Sequence, residues 1–329
     1  METTFKEKLT GNFSVQRLAG DASTREYSRL RFESTSETAV MVNVHAPFDP
    51  QTDDWLNIHE FLKNLGVAVP EVYFTEPSNG LFYLEDCGDE LLESHAKNAS
   101  PPQILELYKK ALDVLVLMQT EGTRRLTAGN PAGKRKFDHE KLMWELNHAA
   151  KWYIRGYLKK RLSEEDDRRL TAFFERLIAP LLEIPTVFTH RDYHSRNIMP
   201  HEENFYIIDF QDARLGPPHY DVASLLFDSY VRLDEETRNE LTEHYKKIAA
   251  GKILDAKRLA SFEKDLARTA LQRNIKALGT FGFQAVERQN SLYARFMPGT
   301  AEYVTRNLGL FQDLQQDAEW AASLLTPPI

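Results

Sequence analysis

Cysteine is almost absent from this chain: Cys87 is the only one in 329 residues. An intramolecular disulfide and a cysteine-rich zinc centre are therefore excluded. No run of about 18 apolar residues occurs, so no membrane-spanning helix is expected. The opening Met1-Glu2-Thr3-Thr4-Phe5-Lys6 lacks the apolar core of a secretory signal. Positive charge is in deficit: 41 Lys and Arg face 49 Asp and Glu, a net charge of −8. The pI is near 5.8. Binding along a phosphate backbone needs a basic face, so nucleic acid is not expected as a partner. Internal repeats and low-complexity tracts are missing as well. What the chain does hold is 42% hydrophobic and 11% aromatic residues, enough for the core of one large domain or of two lobes. Cytoplasmic residence, with no membrane partner, is the expectation.

The first ninety or so residues read as strand-rich. Phe13–Leu18 and Tyr27–Phe32 alternate apolar and polar side chains, and Ala39–Val44 reads as a third strand. Asp53-Asp54 opens a helix with Trp55, Ile58, Phe61, Leu62 and Leu65 on one face and Gly66 as its stop. Val72–Phe74 and Leu81–Leu84 form a last hairpin. Beyond Glu85–Asp89 the pattern turns helical. One helix starts at Pro101-Pro102 and ends near Gly122, others cover roughly 138–158 and 163–182, and helices fill the chain from about Tyr220 to Leu325. Short strands interrupt around Thr186–Thr189, Ile198–Met199 and Phe205–Ile208. Two domains are expected, 1–87 and 88–329.

The chemistry concentrates in Phe188-Thr189-His190-Arg191-Asp192-Tyr193-His194-Ser195-Arg196-Asn197 and the following Ile207-Ile208-Asp209-Phe210. Asp192 can receive a proton from a hydroxyl. Asn197 and Asp209 are placed to hold Mg2+ between the phosphates of ATP. Phosphoryl transfer needs such a trio, because the protein's task there is positioning and charge neutralisation. Taken singly, such residues also cap turns; the full spacing of His-Arg-Asp, Asn and Ile-Asp-Phe favours the kinase reading. His190 reads as a structural histidine rather than a proton carrier. Arg191 and Arg196 serve either an anion or a neighbouring acid.

The same segment resembles the Brenner motif of the aminoglycoside phosphotransferase and choline kinase superfamily. That resemblance implies a protein-kinase-like α+β fold, with a small β-rich N-lobe and a larger, mainly helical C-lobe. Gly216–Leu225 is similar to the next motif of that superfamily, in which an Asp, here Asp221, opens a helix and braces the catalytic loop. Leu84-Glu85-Asp86 resembles the hinge, so backbone near Glu85 and Cys87 is expected to meet adenine. Leu18–Tyr27 stands at the phosphate-covering loop, where Ser23 and Thr24 would reach phosphate. A closer match runs along both lobes. Asp21-Ala22-Ser23, Arg25, Tyr27, Arg29, His190–Asn197, Asp209–Ala213, Trp152-Tyr153, Gln272–Phe281, Tyr293 and Met297-Pro298 resemble the cell-wall-recycling kinases of N-acetylmuramate and N-acetylglucosamine.

The resemblance implies an ATP-dependent sugar kinase acting on the anomeric hydroxyl; nothing in the sequence demands more than a monomer, which is the expectation. Asp192, Arg196, Asp212 and Trp152 are then expected at the sugar, and Arg155, Arg191 or Arg196 at the lactyl carboxylate of N-acetylmuramate. One departure stands out. The superfamily's third strand usually carries a Lys, but Met41-Val42-Asn43-Val44 has none and Glu60 has no evident lysine partner; Arg25 or Arg29 is the expected substitute. Two other readings remain open: a kinase of another small alcohol (aminoglycoside, choline or homoserine), and a non-catalytic nucleotide-binding member. A cationic substrate would want a dense acidic patch. Glu164–Asp167 sit beside Arg168 and Arg169 and read as a solvated helix start.

Overall fold

The structure, a computed structural model, describes residues 2–18, 25–201 and 204–326. The expected phosphate-loop residues Ser23 and Thr24 lie outside the described residues. The elements run α1 (Glu2–Leu9), β1 (Phe13–Arg17), β2 (Glu26–Phe32), β3 (Thr38–Asn43), α2 (Asp54–Asn64), β4 (Val72–Glu76) and β5 (Leu81–Glu85). There follow α3 (Leu92–Asn98), α4 (Pro101–Leu117), the short turns α5 (Thr123–Arg125) and α6 (Pro131–Lys134), α7 (His139–Ala149) and α8 (Glu164–Leu182). The chain continues through β6 (Val187–Thr189), β7 (Ile198–His201), β8 (Asn204–Ile207), β9 (Arg214–Gly216) and α9 (His219–Leu226). It finishes with α10 (Glu235–Ala249), α11 (Ala256–Val286), α12 (Met297–Leu308) and α13 (Gln315–Leu325). Packing divides the chain into two units: residues 1–90 with 199–211, and residues 91–198 with 212–329. The break falls three residues after the expected boundary at 87, and 199–211 packs with the first unit.

The first unit is built on one antiparallel sheet in the order β1-β2-β3-β5-β4. Alternation in β2 buries Leu30 and Phe32 on the face that receives Ala39 and Tyr83. Helix α1 carries no periodic signal strong enough to read from sequence. It is anchored by Phe5, whose ring lies 5.1 Å from Tyr73, 5.6 Å from Tyr83 and 5.7 Å from Phe32. Asp53 caps α2 by accepting from the Leu56 N–H at 2.8 Å, and Gly66 ends it at φ +84°. On the other side, Trp55 packs at 5.4 Å from Phe82 and 5.2 Å from Phe210. That contact ties the segment after β8 to α2 and β5. The Ile207 N–H, donating to the Ala68 carbonyl at 2.9 Å, fixes β8 against the loop after α2.

The second unit is helical and centred on α11, a helix of 31 residues whose C-terminal half is buried nearly all round. Two glycines permit its close approach to α7. A Cβ on Gly279 would lie 2.7 Å from Ala149 Cα, and one on Gly282 would lie 2.6 Å from the Trp152 carbonyl oxygen. The sequence suggested uninterrupted helices here and after Pro101. Instead Ala150–Tyr157 and Met118–Gly122 wind as π-helix. Hydrophobic periodicity does not report a one-residue bulge, which tertiary packing selects. Strand β9 is another addition: three residues pair antiparallel with β6, too short to show a pattern. No described helix is long and apolar enough to cross a membrane.

Candidate active site

Asp192 stands in the loop between β6 and β7, and the loop is braced from two sides. Asp221, in the first turn of α9, accepts from the His190 N–H (Oδ2, 2.6 Å) and the Arg191 N–H (Oδ1, 2.9 Å). Asp228 Oδ2 accepts from the Ser195 N–H at 2.9 Å. Within the loop, the His194 N–H donates to the Asp192 carbonyl at 3.0 Å. The Asn197 side-chain amide donates to the same carbonyl at 2.8 Å. Arg191 is held at φ +83°, a strained setting for a non-glycine residue, and the Asp221 bond falls on its own amide. Burial pushes the Asp221 carboxyl up to about 7, against the two backbone bonds that favour its charge. His190 is fully buried, and its ring packs 5.7 Å from Tyr193.

Around the Asp192 carboxylate the second unit gathers cations. Lys276 Nζ donates to Oδ1 at 2.7 Å, Arg273 Nη2 lies 3.6 Å from Oδ1, and Arg191 Nη1 lies 3.4 Å from Oδ2. Burial alone would raise this carboxyl. Lys276, Arg191 and Arg273 overcome it and hold the group well below the usual carboxylate range. Burial in turn lowers the Lys276 ammonium, with Asp192 opposing. Arg191 also donates to Asp212 Oδ2 at 2.9 Å and lies 3.7 Å from Glu145 Oε1. Glu145 is fully buried on α7 and accepts from the Tyr220 hydroxyl at 3.2 Å and the Gln272 amide at 3.1 Å. Lys276, Arg273, Glu145 and Asp228 had no role in the sequence reading. Lys276 and Arg273 lay inside a segment quoted only for its resemblance. Their three-residue spacing is also what any helix face gives, so only the fold exposes them.

The other expected residues fall as follows. Asp209, in the first unit, is exposed at φ +61° and its Oδ1 accepts from the Gln211 amide at 2.7 Å. An exposed carboxylate and the Asn197 amide oxygen are hard donors of the kind Mg2+ takes. No group of three or more His, Cys, Asp or Glu that could hold a metal occurs among the described residues. Arg29, on β2, is engaged by four hydrogen bonds: Asp86 at 2.6 and 2.9 Å, and Asp89 at 2.8 and 2.9 Å. Its charge already has two partners. Arg25 is half-buried just before β2. The Glu85 N–H donates to the Glu71 carbonyl at 2.8 Å, so that amide is committed to the sheet rather than open to a base. Cys87 is buried, and burial together with Glu85 and Asp86 pushes its thiol up to about 12.

Arg196 is half-buried in a bidentate pair with Glu93 (2.7 and 3.3 Å), with its guanidinium 4.0 Å over Tyr230 and 4.9 Å over Phe296. Of its two sequence alternatives, the partnership with an acid is the one present. Trp152 is half-buried, packed edge-on against Phe283 at 5.2 Å. Arg155 pairs with Asp167 at the start of α8, where Ser163 and Asp166 form a capping box.

Comparison with known proteins gives a consistent picture. A model of the phosphotransferase enzyme family matches residues 14–261. The chain is 30% identical to an N-acetylmuramate/N-acetylglucosamine kinase of Pseudomonas aeruginosa, over 93% of this chain and 87% of that one. It is 26% identical to the kinase of the same name from Neisseria meningitidis, over 93% and 88%. Among solved structures, an ADP-bound aminoglycoside phosphotransferase superposes with a TM-score of 0.60 at 14% identity, over 92% of this chain and 97% of that one. An ethanolamine kinase of Plasmodium vivax gives 0.60 at 15% identity, over 92% and 83%. These two share the fold, a protein-kinase-like one.

Proposed function

Because the chain belongs to the phosphotransferase enzyme family, we propose that it moves the γ-phosphoryl group of ATP to the anomeric hydroxyl of N-acetylmuramate and N-acetylglucosamine. The sugars would be those released in cell-wall recycling. The observation that carries this reading is the Asp192 loop, with its backbone braced by Asp221 and Asp228 and its carboxylate set among partly buried cations. The four relatives that bear the name of this amino-sugar kinase span most of their length and this chain's.

In this reading the C1 hydroxyl of the sugar gives its proton to the Asp192 carboxylate. The C1 oxygen bonds to the γ-phosphorus, the bond from that phosphorus to the bridging oxygen breaks, and ADP leaves. An anomeric hydroxyl is more acidic than an ordinary alcohol, so a strong base is not required and placement decides the rate. Asn197 and Asp209 would hold Mg2+, which when bound neutralises charge on the phosphate oxygens. Asp212 and Trp152 are proposed to line the sugar, and Ser23, Thr24 and Arg25 to face the nucleotide phosphates. The cations around Asp192 argue against a cationic aminoglycoside or choline as acceptor.

A coupled ADP-release assay with N-acetylmuramate, N-acetylglucosamine, kanamycin and choline tests the assignment. Phosphorus NMR should place the product phosphate on C1. Asp192→Asn should lower kcat by about 10²–10⁴-fold while nucleotide binding persists. Turnover of kanamycin or choline with neither amino sugar accepted refutes it.

A further inference from the structure

Both carboxylate oxygens of Asp192 face cations. One carboxylate oxygen accepts from Lys276 at 2.7 Å with Arg273 Nη2 at 3.6 Å, and the other faces Arg191 at 3.4 Å. Arg191 already has Asp212 at 2.9 Å. Arg273 does not have such a partner for Nη2. That nitrogen is buried and reaches no hydrogen-bond acceptor among the described residues, while its Nε is held by the Ser224 hydroxyl. A buried guanidinium donor with nothing to donate to costs free energy unless an anion or polar ligand completes it. Lys276 sits one helical turn along α11 from Arg273, on the same side, with its side chain 13% exposed. Among the described residues, the ion-pair partner these two cations share is Asp192, the residue that must act on the substrate; Glu145 reaches Lys276, and Asp221 and Asp228 reach Arg273, only through space. Of the three arginines offered by sequence for an acidic sugar, Arg155 is engaged by Asp167, Arg196 by Glu93 and Arg191 by Asp212.

We propose that Lys276 and Arg273 are the receptor for a carboxylate on the acceptor sugar. On binding, Lys276 Nζ transfers its hydrogen bond from Asp192 to that carboxylate, freeing Asp192 Oδ1 for the sugar hydroxyl. This deepens the reading of the preceding section and rests on it. It makes an acidic amino sugar the better substrate, and it makes the acid group act on turnover as well as on binding. A neutral sugar must displace Lys276 without offering a replacement anion. The two residues serve as specificity-determining and positioning groups; the proton acceptor remains Asp192.

The test uses the full-length protein and three acceptors: N-acetylmuramate, its methyl ester, and N-acetylglucosamine. With wild type, esterification should cut kcat/KM by about 30-fold, the value of one lost charge-assisted hydrogen bond, with part of the loss in kcat. In Lys276→Met the acid and the ester should become equal within about threefold, and Lys276→Arg should restore most of the difference. Equal rates for acid and ester with wild type overturn the proposal without relying on any variant. So does a Lys276→Met protein that keeps the wild-type ratio, or one whose KM for ATP rises equally with every sugar, which would put the lysine on the nucleotide phosphates. If wild type phosphorylates none of the sugars, it is the amino-sugar assignment that fails, and this inference falls with it.

Discussion

Replacing Asp221 with Asn tests the brace beneath the catalytic loop. The substitution keeps size and one acceptor oxygen but turns an NH2 group toward either the His190 or the Arg191 N–H, which now donate 2.6 and 2.9 Å bonds to one carboxylate. One charge-assisted bond is lost and two donors oppose each other. Bonds to a charged partner are worth about 1.5–3 kcal/mol, so the loss should be about 2–3 kcal/mol. The effect should depend on pH. Burial pushes this carboxyl up to about 7. At pH 6 the wild type is largely protonated, whereas at pH 8 it is ionised and both bonds to the loop amides are charge-assisted. For stability, linkage sets the direction: with the folded value raised above the unfolded one, the stability this group contributes is full below about pH 3.8 and is lost as pH rises through about 7, so the non-titrating variant should trail the wild type by more at pH 6 than at pH 8. At pH 8, unfolding of the variant should come about 3–4 °C earlier, taking about 0.7 kcal/mol per degree for a chain of this size, and the gap should widen by about 2 °C at pH 6. Activity should fall more steeply. Arg191 at φ +83° relaxes without its bond, and a shift of about 1 Å at Asp192 costs on the order of 10² in kcat. Scanning fluorimetry and coupled kinetics at both pH values provide the check. A kcat within twofold of wild type at pH 8, or an equal loss of stability at pH 6 and pH 8, refutes the reasoning.

Other perturbations probe buried groups in each unit. His219 is fully buried against Phe262 at 4.6 Å, and neither ring nitrogen has a partner among the described residues; burial pushes it down to about 3. Its folded value lies below the unfolded 6.5, so stability is full above pH 6.5 and lost as pH falls. His219→Leu should reduce the stability difference between pH 8 and pH 5 by about 2 kcal/mol in denaturant titrations; an unchanged difference counts against it. Gly282→Ala places a methyl 2.6 Å from the Trp152 carbonyl, so α11 must move off the π-helical turn. A loss of about 1–3 kcal/mol is expected from urea unfolding, and a neutral result would mean the helices part without strain. Arg29→Ala leaves Asp86 buried beside no cation, since the pair is 10% and 5% exposed. Unfolding should be easier by about 3–5 kcal/mol, and a change below 1 kcal/mol would show the pair to be dispensable.

The strands of the first unit, the helical character of the second, and the loop carrying Asp192 were legible because each is written locally. Alternation in Tyr27–Phe32 and the 3.6-residue period of α2 concern neighbours in sequence, and the motif from His190 to Asp209 is nearly continuous. Helix α1 was not legible, because a single Phe5 docking into three distant rings decides it. The π-helical turns were hidden for a similar reason. A bulge keeps the apolar residues apolar and alters only which carbonyl each amide meets.

Residue types and spacing alone determined that this chain carries a phosphotransfer loop, since an acid, an amide and a second acid at those intervals follow from the order of residues. What surrounds that acid was left to tertiary structure. Lys276 reaches Asp192 from 84 residues away, and Glu145 meets Gln272 across 127. Electrostatic partnership falls with distance in space, not along the chain. A helix face shows which residues point the same way, but only the packing of α11 on α7 and α9 decides what they point at.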